Sequence, residues 1–174
     1  RALSQELEEK VQERTEELTG ATEQLRLALE ASNDGLYDWD MQTGEAYFSS
    51  RYYTMIGYEP YEMPPSYDTW ISLLHPDDKE HAANVINEYV GGKREGHEIE
   101  FRMRAKGGKW QWILSRGKVV EQDADGECVR MVGTHTAITD RKQAEEALRQ
   151  SEEKYKHLTE ELSITPGIIA TISN

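Results

Sequence analysis

The chain predicts an α+β fold: a five-stranded antiparallel sheet with helices on one face, flanked by N- and C-terminal coiled-coil-like helices. Three observations predict it. Residues 1–30 contain no proline and no aromatic residue, and their apolar residues recur every seven positions. All four Trp and both Phe fall between residues 31 and 138. Within that span two short alternating segments come first, helical stretches follow, and three longer alternating segments close it.

Taken in order, residues 1–30 read as a coiled-coil helix. Val11, Leu18 and Leu25 share one heptad position, and Leu7 shares the partner position with Arg14, Ala21 and Ala28. So narrow a seam buries little alone, and a second copy of the same helix is the economical partner. Gly35–Asp40 (GLYDWD) alternates as a first strand, and MQTG turns the chain into Glu45–Phe48. YEPYEMPP interrupts the helical stretch that follows, and a helix spans Tyr67–Leu74. A longer helix opens at HPDD, with Asp77 expected as N-cap and Glu80 three residues on at capping-box spacing, and it stops at Gly91-Gly92. Strands over His97–Arg104, Lys109–Val120 and Cys128–Ile138 are joined by the hairpin turns KGGK and DADGE.

Residues 140–163 form an exit helix with a weaker seam through Ala144, Leu148, Ser151, Tyr155, Leu158 and Leu162, capped by Thr139 or Asp140. Residues 164–174 hold a helix-ending Thr-Pro-Gly and a short strand-like GIIATI, expected as the truncated start of a following domain. The central domain is therefore 31–139. The chain opens on Arg1 and reads as a piece of a longer protein.

Composition narrows the function. With 33 Asp+Glu against 20 Lys+Arg the net charge is −13, which opposes binding to nucleic acid and to anionic membrane surfaces. The single cysteine, Cys128, excludes an intrachain disulfide framework and a Cys-rich zinc site. No apolar run approaches the roughly 20 residues of a membrane helix, and no signal-peptide pattern opens the chain. A cytoplasmic location and no membrane contact are expected. No nucleophilic triad, P-loop or nucleotide-binding glycine pattern is present, so this segment is not expected to be an enzyme.

FSSRYYTMIGYEPYEM (48–63), WISLLHPDD (70–78), EFRMRAKGGKWQWI (100–113) and MVGTHTAITDRKQAEEAL (131–148) together resemble a PAS domain with its C-terminal PAC motif. The resemblance covers roughly residues 24–140, and SEEKYKHLTEEL with PGIIATISN is similar to the opening of a further repeat. It implies a PAS fold and a sensory or relay module without catalysis of its own. It also implies an output domain in the same chain, such as a histidine kinase or a cyclic-dinucleotide enzyme, in a bacterial two-component or similar signalling protein. A small ligand or redox cue would act between sheet and helices, where the candidates are Tyr37, Trp39, Met55, Ile56, Leu73, Ile86, Ile99, Phe101, Trp112 and Met131.

The change would leave through Ala137, Ile138, Thr139 and Asp140. Ala137 stands where the family normally has Asp, the first residue of an Asp-Ile-Thr junction. The homodimer seam would comprise Leu7, Val11, Leu18 and Leu25 with Leu148, Tyr155 and Leu158. No metal site and no cofactor are expected. Haem through His81, in the helix that bears the iron ligand of haem-binding relatives, is the alternative. Covalent flavin photochemistry lacks its Asn-Cys-Arg-type motif. A ligand-free dimerisation and relay spacer is the other reading of the whole.

Overall fold

The computed structural model describes residues 2–163, so the strand expected within 164–174 lies outside the described residues. Ten elements follow in order: α1 (Ala2–Ser32), β1 (Gly35–Asp40), β2 (Ala46–Phe48), α2 (Ser50–Thr54), α3 (Tyr67–Leu73), α4 (Pro76–Val90), β3 (His97–Arg104), β4 (Trp110–Gln122), β5 (Cys128–Ala137) and α5 (Thr139–Ser163). The strands form one antiparallel sheet in the order β2-β1-β5-β4-β3. Two units are distinguished, one ending at Ala137 and one starting at Ile138. Among the described residues no helix is long and apolar enough to cross a membrane.

Alternation along the strands decides which side chains meet the helices. On β3, His97, Ile99, Phe101 and Met103 are buried while Glu98 and Arg104 are exposed. The register aligns Phe48, Tyr37, Gly133, Gly117 and His97 in one row across the inner face. The next row runs Gly35, His135, Ser115 and Ile99. In the first row two adjacent strands carry no side chain. The Tyr37 ring lies across that gap, and its hydroxyl donates to the Arg116 carbonyl 3.5 Å away. A Cβ on Gly133 would overlap the Tyr37 ring and the Arg116 carbonyl, and one on Gly117 would overlap the Tyr37 hydroxyl. At Gly35 it would lie 2.6 Å from the Tyr52 Cα, so α2 rests directly on β1.

The helices are pinned by polar contacts at their starts. Ser66 caps α3 by accepting from the Thr69 N–H at 3.1 Å. Asp77 is not the N-cap of α4, and Glu80 completes no capping box there. His75 takes that place, its Nδ1 accepting from the Asp77 N–H at 3.2 Å, because Pro76 already occupies the first helical position. Asp78 turns instead to β3. Its carboxylate accepts from the Arg102 backbone N–H, Nε and Nη2 at 2.8, 2.9 and 2.7 Å. Extents differ as well: α1 runs on to Ser32, β4 spans Trp110–Gln122, β5 ends at Ala137, and α5 starts at Thr139. Arg14, on the α1 seam, pairs with Glu17 at 2.7 Å along its own helix.

The glycine row gives a direct test. Gly133→Ala should lower the unfolding free energy in urea by about 1–3 kcal/mol, because neither the strand backbone nor the packed ring can yield freely. Gly20→Ala, in open space on α1, should instead stabilise by up to about 1 kcal/mol through helix propensity.

Candidate functional site

The gap left by the glycines opens into a cavity of about 40 Å³ on the inner face of the sheet. Its deep end is formed by Tyr37, His97, Ser115, Met131 and His135, all buried on β1, β3, β4 and β5. Phe48, Tyr52, Trp70 and Ile86 supply the walls, and Trp39, Ala46, Ser66 and Tyr67, each half-buried, form the outer end. The walls are stacked rings. Tyr52 lies 4.7 Å from His135 at 28° and 4.0 Å from Phe48 at 14°, and Trp39 lies 5.2 Å from Tyr67 at 22°.

The polar chemistry of this cavity is unusual for a core. Among the described residues, five buried polar atoms lack a hydrogen-bond partner: Trp39 Nε1, Tyr52 Oη, Trp70 Nε1, His97 Nδ1 and His135 Nδ1. All five residues line the cavity. Buried polar groups are normally paired, and each orphan carries a desolvation cost. His97 Nε2 does meet Ser115 Oγ, at 3.2 Å. Burial drives the His135 imidazole down to about 3 and, with some help from Arg94, His97 down to about 4. Burial likewise lifts the Tyr37 phenol to about 12 and raises that of Tyr52 well above its ordinary range. No Asp, Glu, Lys or Arg lines the cavity. Near neutral pH it is an uncharged site.

Of the residues expected there from sequence, Tyr37, Trp39, Ile86 and Met131 line the cavity. Met55, Ile56, Leu73, Ile99 and Phe101 are buried in the core and lie away from its wall. Trp112 requires correction: it lies opposite Arg102 on the outer face, with the guanidinium 5.4 Å from its ring centroid. The alternation that buries Ile113 inward turns Trp112 outward. Sequence reasoning passed over Tyr52, His97 and Ser115 as lining residues and left His135 between solvent and pocket, where the structure turns it into the cavity wall. A signal for the histidines existed, since His97 shares the parity of Ile99 and Phe101, and His135 that of Met131 and Gly133.

The haem alternative does not fit these residues. His81 is exposed on α4 and does not line the cavity, and a hollow of this size is far below that of a macrocycle. Among the described residues no three His, Cys, Asp or Glu side chains gather as a metal site. Cys128 is buried with its Sγ 3.2 Å from the Met41 Sδ, outside the cavity wall, and burial raises its thiol.

At the end of β5, Ala137 pairs with Ile113. One residue earlier, the Thr136 hydroxyl donates to Asp34 Oδ1 at 2.7 Å and ties β5 to the segment joining α1 and β1. That segment holds Asn33 at φ 59°, with its carbonyl accepting from Arg51 Nε at 3.1 Å. Beyond β5, Ile138 precedes α5, its carbonyl accepts from the Lys142 N–H, and Thr139 and Asp140 form the first turn. The seam residues are open to solvent in the single chain: Leu7, Val11, Leu18 and Leu25 on α1 range from 56% to 68% exposed, and Leu148, Tyr155 and Leu158 on α5 from 44% to 69%.

Comparison with known proteins places this geometry. A family model described as PAS fold matches residues 45–135. Sensor protein FixL of Bradyrhizobium diazoefficiens is 30% identical over 88% of the chain, and the probable diguanylate cyclase DgcE of Escherichia coli is 28% identical over 79%. The chain spans only 29% and 12% of the lengths of those two relatives. The crystal structure of a sensory box histidine kinase/response regulator from Burkholderia thailandensis superposes with a TM-score of 0.67 at 33% identity, covering 76% of this chain and 98% of that one. The N-terminal domain of a diguanylate cyclase with PAS/PAC sensor from Marinobacter aquaeolei shares the fold at a TM-score of 0.55 and 23% identity, over 62% of this chain and 97% of that one.

The buried imidazoles make stability depend on pH. Both have folded values below the ordinary 6.5, so below pH 6.5 the unfolded chain takes up protons that the folded chain refuses. Stability should be level above pH 6.5 and fall towards pH 4, by up to about 1.4 kcal/mol per pH unit for each histidine. Urea denaturation at a series of pH values measures this, and His135→Phe should remove about half of the slope.

Proposed function

The chain belongs to the PAS-fold family, and from that membership we propose a sensory and relay module that reads a small ligand in the inner-face cavity. It passes the change through β5 to its flanking helices. The observation that supports ligand reading is the set of five orphan polar atoms on residues lining one cavity. A core selected only for packing would pair those groups or replace them with apolar ones. A guest that reaches those groups only when the surrounding rings shift would stabilise one arrangement of the cavity over the other, and a differential affinity of about 1–3 kcal/mol is enough to shift a two-state module usefully.

The route outward starts at His135. It stacks under Tyr52 and stands two residues before Ala137, where β5 ends. Thr136 lies between them, held by Asp34. A displacement of the Tyr52–His135 stack therefore reaches both the α1 end and the α5 start through neighbouring residues of one strand. That contact gives β5 a polar anchor beside the position where Ala137 replaces the family's usual Asp. The helices carry the signal as a parallel or antiparallel homodimer through their exposed seams. The parent protein attaches an output domain of the histidine kinase or diguanylate cyclase type, and the sensory segment itself is not catalytic.

Two measurements test this reading. Sedimentation equilibrium should find a dimer at micromolar concentration that becomes monomeric when Leu18 and Leu25 are both changed to Glu. Native mass spectrometry after gentle purification should show an added mass of ligand. A dimer with no added mass under any purification condition would leave the ligand-free relay spacer as the function. A monomer with intact seams would contradict the dimeric relay.

A further inference from the structure

Resting on the ligand-reading function above, we propose that the inner-face cavity, as it is arranged here, is a site for a small uncharged apolar molecule. On binding, that molecule holds the sheet and helices in this arrangement. The surface that a guest can reach in the cavity is almost wholly apolar. Phe48, Trp70, Ile86 and Met131 supply it from four different elements. The five unpaired polar atoms have almost no accessible surface, so a guest in the hollow touches carbon atoms instead of them.

The hydroxyls on the wall are already engaged. Tyr37 Oη donates to the Arg116 carbonyl, Ser115 Oγ meets His97 Nε2, and Ser66 Oγ accepts from the Thr69 N–H. Water needs roughly two to four polar partners to stay in such a place, and this wall offers few. No Lys, Arg, Asp or Glu lines the cavity, so an ion would lose its hydration and meet no opposite charge. An apolar molecule gives up no hydrogen bond on entering and gains dispersion contacts on every side. Volume sets its size: about 40 Å³ takes roughly three water-sized units, the bulk of about three carbon atoms. The half-buried outer end at Trp39, Ala46, Ser66 and Tyr67 is its way in.

Two kinds of guest therefore pull in opposite directions. One that reaches the unpaired atoms needs the rings to shift, whereas an apolar one fits the hollow as it stands. By linkage, filling the hollow raises the population of the arrangement that it fits. Met131 and His135 both line the hollow and both belong to β5, so the effect is carried on the strand that ends at Ala137.

The test titrates the whole chain with cyclopropane and, at similar size, with formamide, and follows methyl and amide resonances. Cyclopropane should shift the Met131 and Ile86 methyl groups saturably, while that of Met55, in the core but off the cavity wall, stays unmoved. The Thr136 and Ala137 amides should move with the same midpoint. Formamide should bind at least about tenfold more weakly. Ala46→Val narrows the outer end with a residue that suits a strand, and should weaken cyclopropane about three- to tenfold. Equal binding of formamide, or no methyl shift with cyclopropane, would overturn the apolar assignment. An added mass in native spectra would then show that ligand reading itself survives. Methyl shifts with unmoved Thr136 and Ala137 amides would show that filling the hollow does not hold β5, and would overturn the effect on the module.

Discussion

Gly133 and Gly117 face each other on adjacent strands, and the Tyr37 ring lies in the space their missing side chains leave. The cavity depends on that packing. With Cβ atoms at those positions the ring could not keep its place against the sheet, beside the hollow lined by His97, Ser115 and His135. Gly35 does the same for the helix side, since Tyr52 reaches its place over His135 only because the α2 backbone can touch β1.

The surrounding contacts hold this arrangement from outside. The three-point contact between Arg102 and Asp78 fixes the start of α4 on β3 and places Ile86 against the cavity. Arg102 also lies over Trp112, so the outer face of the same strand pair is ordered by the residue that anchors the helix. Inside, the same burial that leaves the imidazoles neutral leaves several of their polar neighbours unpaired. These unpaired groups carry a desolvation cost that folding alone does not offset.

Much of the fold was legible because it rests on periodicity. The strands of the sheet, the helix stopped by Gly91-Gly92 and the two flanking helices follow from alternation, heptads and turn residues. The cap of α4 was misread because HPDD offers two carboxylates at capping spacing, and only the fold reveals that Asp78 has Arg102 as a partner across 24 residues. Trp112 was misplaced for a related reason. A Trp-Gln-Trp segment does not say by itself which face of its strand looks inward, and the register with β3 sets Ile113 inward. The glycines on β4 and β5 read as ordinary small residues in sequence, and their role appears only when the strands are aligned side by side. The Asp34–Thr136 contact, spanning 102 residues, has no local signature at all.

A high-resolution crystal structure of this chain tests most directly whether the glycine row keeps a hollow open for a guest. Ordered density should lie inside the hollow beside the Tyr52–His135 stack, with the Tyr37 ring against Gly133 and Gly117. An empty hollow, or one closed by Tyr37, would contradict it.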